Sequence, residues 1–320
     1  MDAKQRERQR ARKLKQDKKD RKSARRREAE KAVTRRVPVT PVESRRLDPP
    51  AAPAYLYKYV GTANHHFAIV ENLEIRFSQP SVLNDPQDCQ PQVVAPRDLQ
   101  AAVDRIIQRN VVKNPGRWSK AEIARARSDL LRSYRTNIDK RIQESADVLR
   151  RNLDVLGVLS LADTPDSLDM WTRYADDHRG FAIEFDTRYG PLIQRPGESG
   201  WQGLPAPVTY QPNRPEAFCD SAELELPDEL VLVKTTPWSY EREWRVVRDR
   251  ATADRIVSPG ATEVSLFSID PRAISAIYVG KDASASNAQR LRDALARNAA
   301  LTHVRLVHGS VSDKGHLVFA

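Results

Sequence analysis

From position 55 onward the chain alternates short apolar runs with stretches of helical periodicity. Tyr55-Leu56-Tyr57-Lys58-Tyr59-Val60 reads as a strand, residues 62–72 as a short helix and residues 73–78 as a second strand. An irregular, proline-bounded loop covers 80–91. Ser119 with Glu122 forms a capping box in front of a long amphipathic helix whose apolar stripe runs through Leu130, Tyr134, Ile138, Ile142, Leu149 and Leu153. Residues 155–161 read as a buried strand. Thr164-Pro165 reads as a helix N-cap with proline at the first helical position, and that helix carries Met170, Trp171 and Tyr174. Phe181, Ile183 and Phe185 alternate as a strand, and further strands are expected at 208–210, 244–247, 264–269, 274–279 and 304–307, with a helix over 285–298. Strands and helices mix without a strict β-α-β rhythm, so the pattern predicts an α+β fold, one mixed-sheet domain with flanking helices. The strands at 57–59, 73–78, 181–185 and 244–247 are expected to share one sheet, because short strands bury an apolar face only by sharing a core.

The first fifty residues read differently. Residues 1–36 are rich in good helix formers, but only Leu14 and Val33 mark an apolar face, so they form a basic tail that is disordered or a solitary helix. Pro38, Pro41, Pro49, Pro50 and Pro53 then break the chain into a linker over 37–54, and the globular domain occupies 55–320.

Charge sharpens this division. The net charge is +10, yet residues 1–36 hold 17 of the 53 Lys+Arg and 6 of the 43 Asp+Glu, leaving 36 basic against 37 acidic residues beyond. The basic character therefore belongs to the tail, where it suits nucleic acid, and the folded part is close to neutral. Two distant cysteines, Cys89 and Cys219, support neither a disulfide framework nor a cysteine zinc site and fit a reducing compartment. With no apolar run of membrane-spanning length and no secretory leader, the sequence reads as cytoplasmic.

The glycines do not fall at the spacings of dinucleotide-binding, P-loop or nucleophile-elbow motifs, and the six histidines lack metal-ligand spacing. Four segments do form a pattern: Tyr57-Lys58-Tyr59; Asn84-Asp85-Pro86; Met170-Trp171-x-x-Tyr174-Ala175-x-x-His178-x-Gly180; and Lys234-x-x-x-Trp238-x-Tyr240-Glu241-x-Glu243-Trp244-Arg245. In order and spacing they resemble a bacterial family catalogued as domain of unknown function number twenty-nine seventy-one. The resemblance covers roughly residues 55–310 and leaves out the tail. It departs from the family at Gln87, where an aromatic residue usually precedes the acid, here Asp88. The family implies a frame for the fold and no assigned chemistry.

Each segment supplies candidates. Lys58 falls on the strand face opposite the tyrosines, where it either contacts a ligand phosphate or carboxylate or pairs with an acid such as Glu184. Asn84-Asp85-Pro86 is a natural turn, yet Asp85 and Asp88 are expected to put two carboxylates on one exposed loop, which a metal or a substrate hydroxyl could use. Trp171, Tyr174 and His178, spaced three and four apart, would share a helix face and could stack on a ring, or simply form core. His178, after Asp176-Asp177 and before Gly180, would also gain from the helix dipole and the neighbouring acids. In the fourth segment an extended Glu243–Val247 turns Glu243 and Arg245 to one face and Trp244 and Val246 to the other. This is either a site or a buried pair that pins the strand.

Two functional classes fit. The first is a nucleotide-handling enzyme similar in element order to the ADP-ribosyltransferase superfamily, with NAD as the implied cofactor. Its chemistry needs a carboxylate (Glu243, Glu241), with His178 as a further catalytic candidate, aromatic groups (Tyr59, Trp171, Tyr174, Trp238) and polar or cationic contacts (Lys58, Asn84, Asp85, Lys234, Arg245). The second is a non-catalytic binding module, of a stress or phage-defence kind, with a nucleic-acid-binding tail. A metal-dependent nuclease using Asp85, Asp88, Glu184 and Asp186 is a third option.

Overall fold

Eight strands form one mixed sheet, and the apolar positions of its central strands are buried on both faces. In the computed structural model the eight are β1 (Tyr55–Val60), β2 (Leu156–Ala162), β3 (Phe181–Asp186), β4 (Ala206–Pro207), β5 (Glu243–Asp249), β6 (Ile274–Val279), β7 (Arg305–Val311) and β8 (Leu317–Phe319). The structure describes residues 51–219, 230–260, 263–312 and 317–319. The tail expected at 1–36 and most of the linker at 37–54 lie outside these described residues.

The spatial order is β8-β7-β6-β3-β1-β2-β5-β4. Every neighbouring pair is antiparallel except β6 and β7, which are parallel and joined through the helix Ala285–Arg297. The fold is α+β, as the element pattern predicts. On one face Leu56, Val60, Leu159, Leu161, Ile183, Val246 and Ile277 form the main core with helix α1 (Asn64–Asn72). On the other, Tyr59, Ala162 and Ala182 pack with Trp171 and Ala175.

Three expectations are corrected, and one helix was not foreseen. Of the strand expected over 73–78, Glu74–Phe77 belongs to a separate three-stranded sheet with Arg255–Val257 and Val264–Ser268, and only Ser78 meets the main sheet, in an isolated bridge to Val158 of β2. Ile75 and Phe77 still enter the main core, so a shared core did not require a shared sheet. Leu73, at φ 54°, reverses the chain after α1, and Gly157 lets the new strand approach β2, since a Cβ there would stand 2.8 Å from that of Phe77.

The long helix is two helices, Lys120–Thr136 and Ile138–Leu153, broken at Asn137 (φ −135°, ψ 34°). The break splits the stripe: Leu130, Tyr134, Ile138 and Ile142 pack around Val103, whereas Leu149 and Leu153 enter a different cluster with Val158 and Val247. The Ser119–Glu122 capping box is present.

The helix after Thr164-Pro165 starts later, over Leu168–Tyr174, capped by the Ser167 hydroxyl. The Pro165 carbonyl instead accepts from the Trp171 indole N–H (2.7 Å). Finally, a helix over Leu99–Lys113, capped by Asp98, packs against Lys120–Thr136 and has no counterpart among the expected elements.

Candidate functional site

The ladder between β1 and β2 holds at a single register, Tyr57 opposite Ala162, while β2 and β5 pair over seven. Beyond Tyr57 the two strands part. Lys58 fills the gap, and its ammonium donates to the Ser160 carbonyl (2.9 Å). A cavity of about 200 Å³ opens there, lined by Tyr57, Lys58 and Tyr59 from β1, Ser160 and Ala162 from β2, and by Asn84, Tyr174, Lys234, Glu241 and Glu243.

The fourth motif builds the floor through its spacing. Lys234 leaves the short strand Val233–Thr235, and a 3-10 turn over Thr236–Glu241 swings the Trp238 ring over its ammonium, 4.7 Å from the centroid. Arg242, at φ 45°, then turns the chain into β5, so that Glu241 and Glu243 both reach back to Lys234 at 2.5 and 3.3 Å. Asp88 approaches the same ammonium at 3.5 Å. Arg245, with no exposed surface, grips Glu243 through its Nε and a terminal nitrogen (2.7 and 2.9 Å) and Asp88 at 2.5 Å. Its remaining nitrogen donates to the Val231 carbonyl (2.7 Å). Tyr174 donates to Glu241 and accepts from Asn84 (2.8 Å), which links the second, third and fourth motifs.

The electrostatics follow from this packing. Burial alone would raise the Glu243 carboxyl, but Arg245 and Lys234 outweigh it and hold its pKa at about 2, so it is ionised. Burial dominates at Glu241 and moves its carboxyl upward despite Lys234. Lys234 goes up, because Glu243, Asp88 and Glu241 together overcome burial. Lys58 goes down: burial outweighs the attraction of Glu243 and Glu241, and no carboxylate among the described residues lies within ion-pair distance.

The sequence-predicted residues therefore divide. Lys58, Tyr59, Asn84, Tyr174, Lys234, Glu241 and Glu243 line the cavity; Arg245 supports it from beneath and Trp238 covers Lys234. Trp171, Asp85 and His178 do not line it. Trp171 is fully buried core, and Asp85 accepts from the Gln87 backbone N–H (2.9 Å), a loop-internal bond. The expected shared face of Trp171, Tyr174 and His178 is absent because the helix ends at Tyr174 and Asp176, Asp177 and His178 all adopt left-handed φ. The His178 ring lies nearly parallel to Trp171, centroids 6.0 Å apart, with a buried Nδ1 that finds no partner among the described residues. Burial and Lys281 push its pKa down, opposite to the gain expected from its acidic neighbours.

Glu184 is not the partner of Lys58. It lies opposite Tyr57 and accepts from the hydroxyls of Tyr57 (3.1 Å) and Tyr278 (2.8 Å). The four acids of the nuclease option do not converge: Asp186 holds Arg188, and Asp88 is a buried counterion rather than an exposed carboxylate. Among the described residues no group of three or more His, Cys, Asp or Glu could hold a metal ion. At the convergence of Asp88, Glu241 and Glu243 the cation is the Lys234 ammonium.

Sequence reasoning missed Ser160, which meets Lys58 only through the parting of two strands, and Tyr210, whose hydroxyl accepts from the Glu243 backbone N–H (2.9 Å). Tyr210 lies at the end of a predicted strand, but nothing local points it at Glu243.

Residues 170–246 match the model of a family described as protein of unknown function (DUF2971), the family that the four motifs resemble. The matched span carries the third and fourth motifs, and hence Tyr174, Lys234, Glu241, Glu243 and Arg245. No curated protein and no solved structure matches the chain. No helix among the described residues is long and apolar enough to cross a membrane.

Proposed function

We propose that the cavity is the site of a nucleotide-handling enzyme that works in the manner of ADP-ribosyltransferases, with NAD as the first ligand to test. The observation that carries this reading is that Lys58 from the first strand, Glu243 from a late strand and Glu241 from the 3-10 turn before it line one opening where the sheet parts. Breaking a bond to a ribose carbon builds positive charge on the sugar, and a carboxylate kept ionised beside it lowers that barrier. Glu243 meets the requirement through Arg245 and Lys234. Lys58, with no carboxylate partner among the described residues, suits the ligand's phosphate, and Tyr57 and Tyr174 contribute aromatic side chains to the lining. The volume is below the roughly 300–1,000 Å³ of pockets that enclose a whole drug-sized ligand. It suits one end of a dinucleotide, with the rest outside.

One observation favours a non-catalytic binding module instead. Every carboxylate oxygen of Glu241 and Glu243 already accepts from Tyr174, Lys234 or Arg245, leaving no idle base. Thermal stabilisation by NAD and other nucleotides, followed by assay of NAD consumption, separates the readings. Stabilisation with turnover supports the enzyme and stabilisation without turnover supports the module. The absence of both for every nucleotide would exclude nucleotide handling at this cavity.

A further inference from the structure

The near-neutral charge of the domain conceals two opposed regions. Residues 97–151 carry 14 Lys+Arg and 7 Asp+Glu, a net +7, whereas the rest of residues 55–320 carries 20 basic and 28 acidic residues, a net −8. The basic region is the arm of three consecutive helices, Leu99–Lys113, Lys120–Thr136 and Ile138–Leu153. Much of its acid is already taken: Asp104 by Arg127, Asp129 by Arg125, Glu144 by Lys140 and Asp147 by Arg150. Arg117, Lys120, Arg132, Arg135 and Arg151 are exposed and have no carboxylate partner among the described residues.

We propose that the outer surface of this arm docks on the phosphate backbone of a DNA duplex, independently of the basic tail. A polyanion is the partner that these unneutralised cations fit, spread as they are over the second and third helices and the turn before them. An anionic bilayer fits less well, because surface-binding helices also insert an apolar face, and here Leu130, Leu131, Tyr134, Ile138 and Ile142 turn inward onto Val103. Val112 and Trp118 are the large apolar side chains left exposed on the arm, both near the turn between its first two helices. A single strand fits less well too, because such ligands are held by stacking on several aromatic rings. The arm has two aromatic residues, Trp118 and the buried Tyr134.

The test uses the full chain throughout, so that residues 1–50 contribute equally to every protein. Affinity for a 20-bp duplex of mixed sequence is measured against salt for wild type and for a variant combining Arg117→Gln, Arg132→Gln, Arg135→Gln and Arg151→Gln. A control removes the same charge elsewhere through Arg179→Gln, Arg188→Gln, Arg255→Gln and Arg272→Gln, all exposed. With about 0.9 in the log–log salt slope per phosphate contact, the arm variant should lose about 2–4 in slope and bind roughly tenfold or more weakly at about 100 mM salt. The control should stay close to wild type. Protection of Lys120 from acetylation by the duplex in the wild-type protein supports the same proposal should the variant fold poorly. Equal slopes for wild type and arm variant, an equal loss in the control, an unprotected Lys120, or tighter binding to single-stranded RNA or to phosphatidylserine vesicles would each overturn it.

Discussion

Arg245 and Asp88 lie 157 positions apart and meet in a 2.5 Å ion pair with almost no exposed surface. That contact fastens the Asn-Asp-Pro loop to β5 and places Asn84 beside Tyr174. A buried guanidinium shared by two carboxylates holds the shape of the site more than it adds net stability, since desolvation offsets most of the Coulomb gain.

Breaking the network is nonetheless expensive. Arg245→Ala leaves Glu243 and Asp88 buried with Lys234 as their one remaining cation among the described residues, and should lower the unfolding free energy by about 3–5 kcal/mol in urea titrations. A loss under about 1 kcal/mol would mean that water enters and solvates the two acids.

Glu243 links the site to pH. Its folded pKa of about 2 lies below the ordinary value of 4.5, so the stability it contributes is fully present above about pH 4.5 and disappears as pH falls from there toward 2. Glu243→Gln should flatten the acid side of the stability profile in that window relative to wild type. If Glu243 also faces the ribose, the variant should lose on the order of 100-fold or more in NAD turnover. Retained turnover in a folded variant would remove it from the chemistry.

Lys58 carries the opposite sign. Its lowered pKa means that folding disfavours its charge, a cost present below the folded pKa and relieved as pH rises through that value toward the ordinary 10.5. Lys58→Met keeps the aliphatic stem and should leave thermal stability at pH 7 equal or higher while abolishing stabilisation by nucleotides. An unchanged ligand shift would take the ligand anion away from Lys58.

Gly180 is required by close packing. A Cβ there would stand 2.1 Å from the Val60 carbonyl oxygen, so Gly180→Ala should cost about 1–3 kcal/mol and distort the end of β1. An unaltered melting temperature would show that the backbone yields freely.

The hydrophobic pattern alone located most of the main-sheet strands, because a residue's alternation between core and solvent is a local property of extended backbone. It also turned Glu243 and Arg245 to one face of β5, and the motif spacing singled out Lys58, Tyr174, Lys234 and Glu241. What it could not supply was pairing. Whether Ile75 and Phe77 join the main sheet or cover it, whether Lys58 meets Glu184 or Ser160, and whether Asp88 is a free carboxylate or the counterion of Arg245 depend on contacts between segments roughly 100 or more residues apart. His178 shows the same limit over a short span: helical spacing would have set it beside Tyr174, but the left-handed turn after Ala175 sends it onto Trp171 instead. Side-chain chemistry and local periodicity are written residue by residue, whereas the parting of β1 from β2 that opens the cavity arises only when the separated strands are packed against a common core.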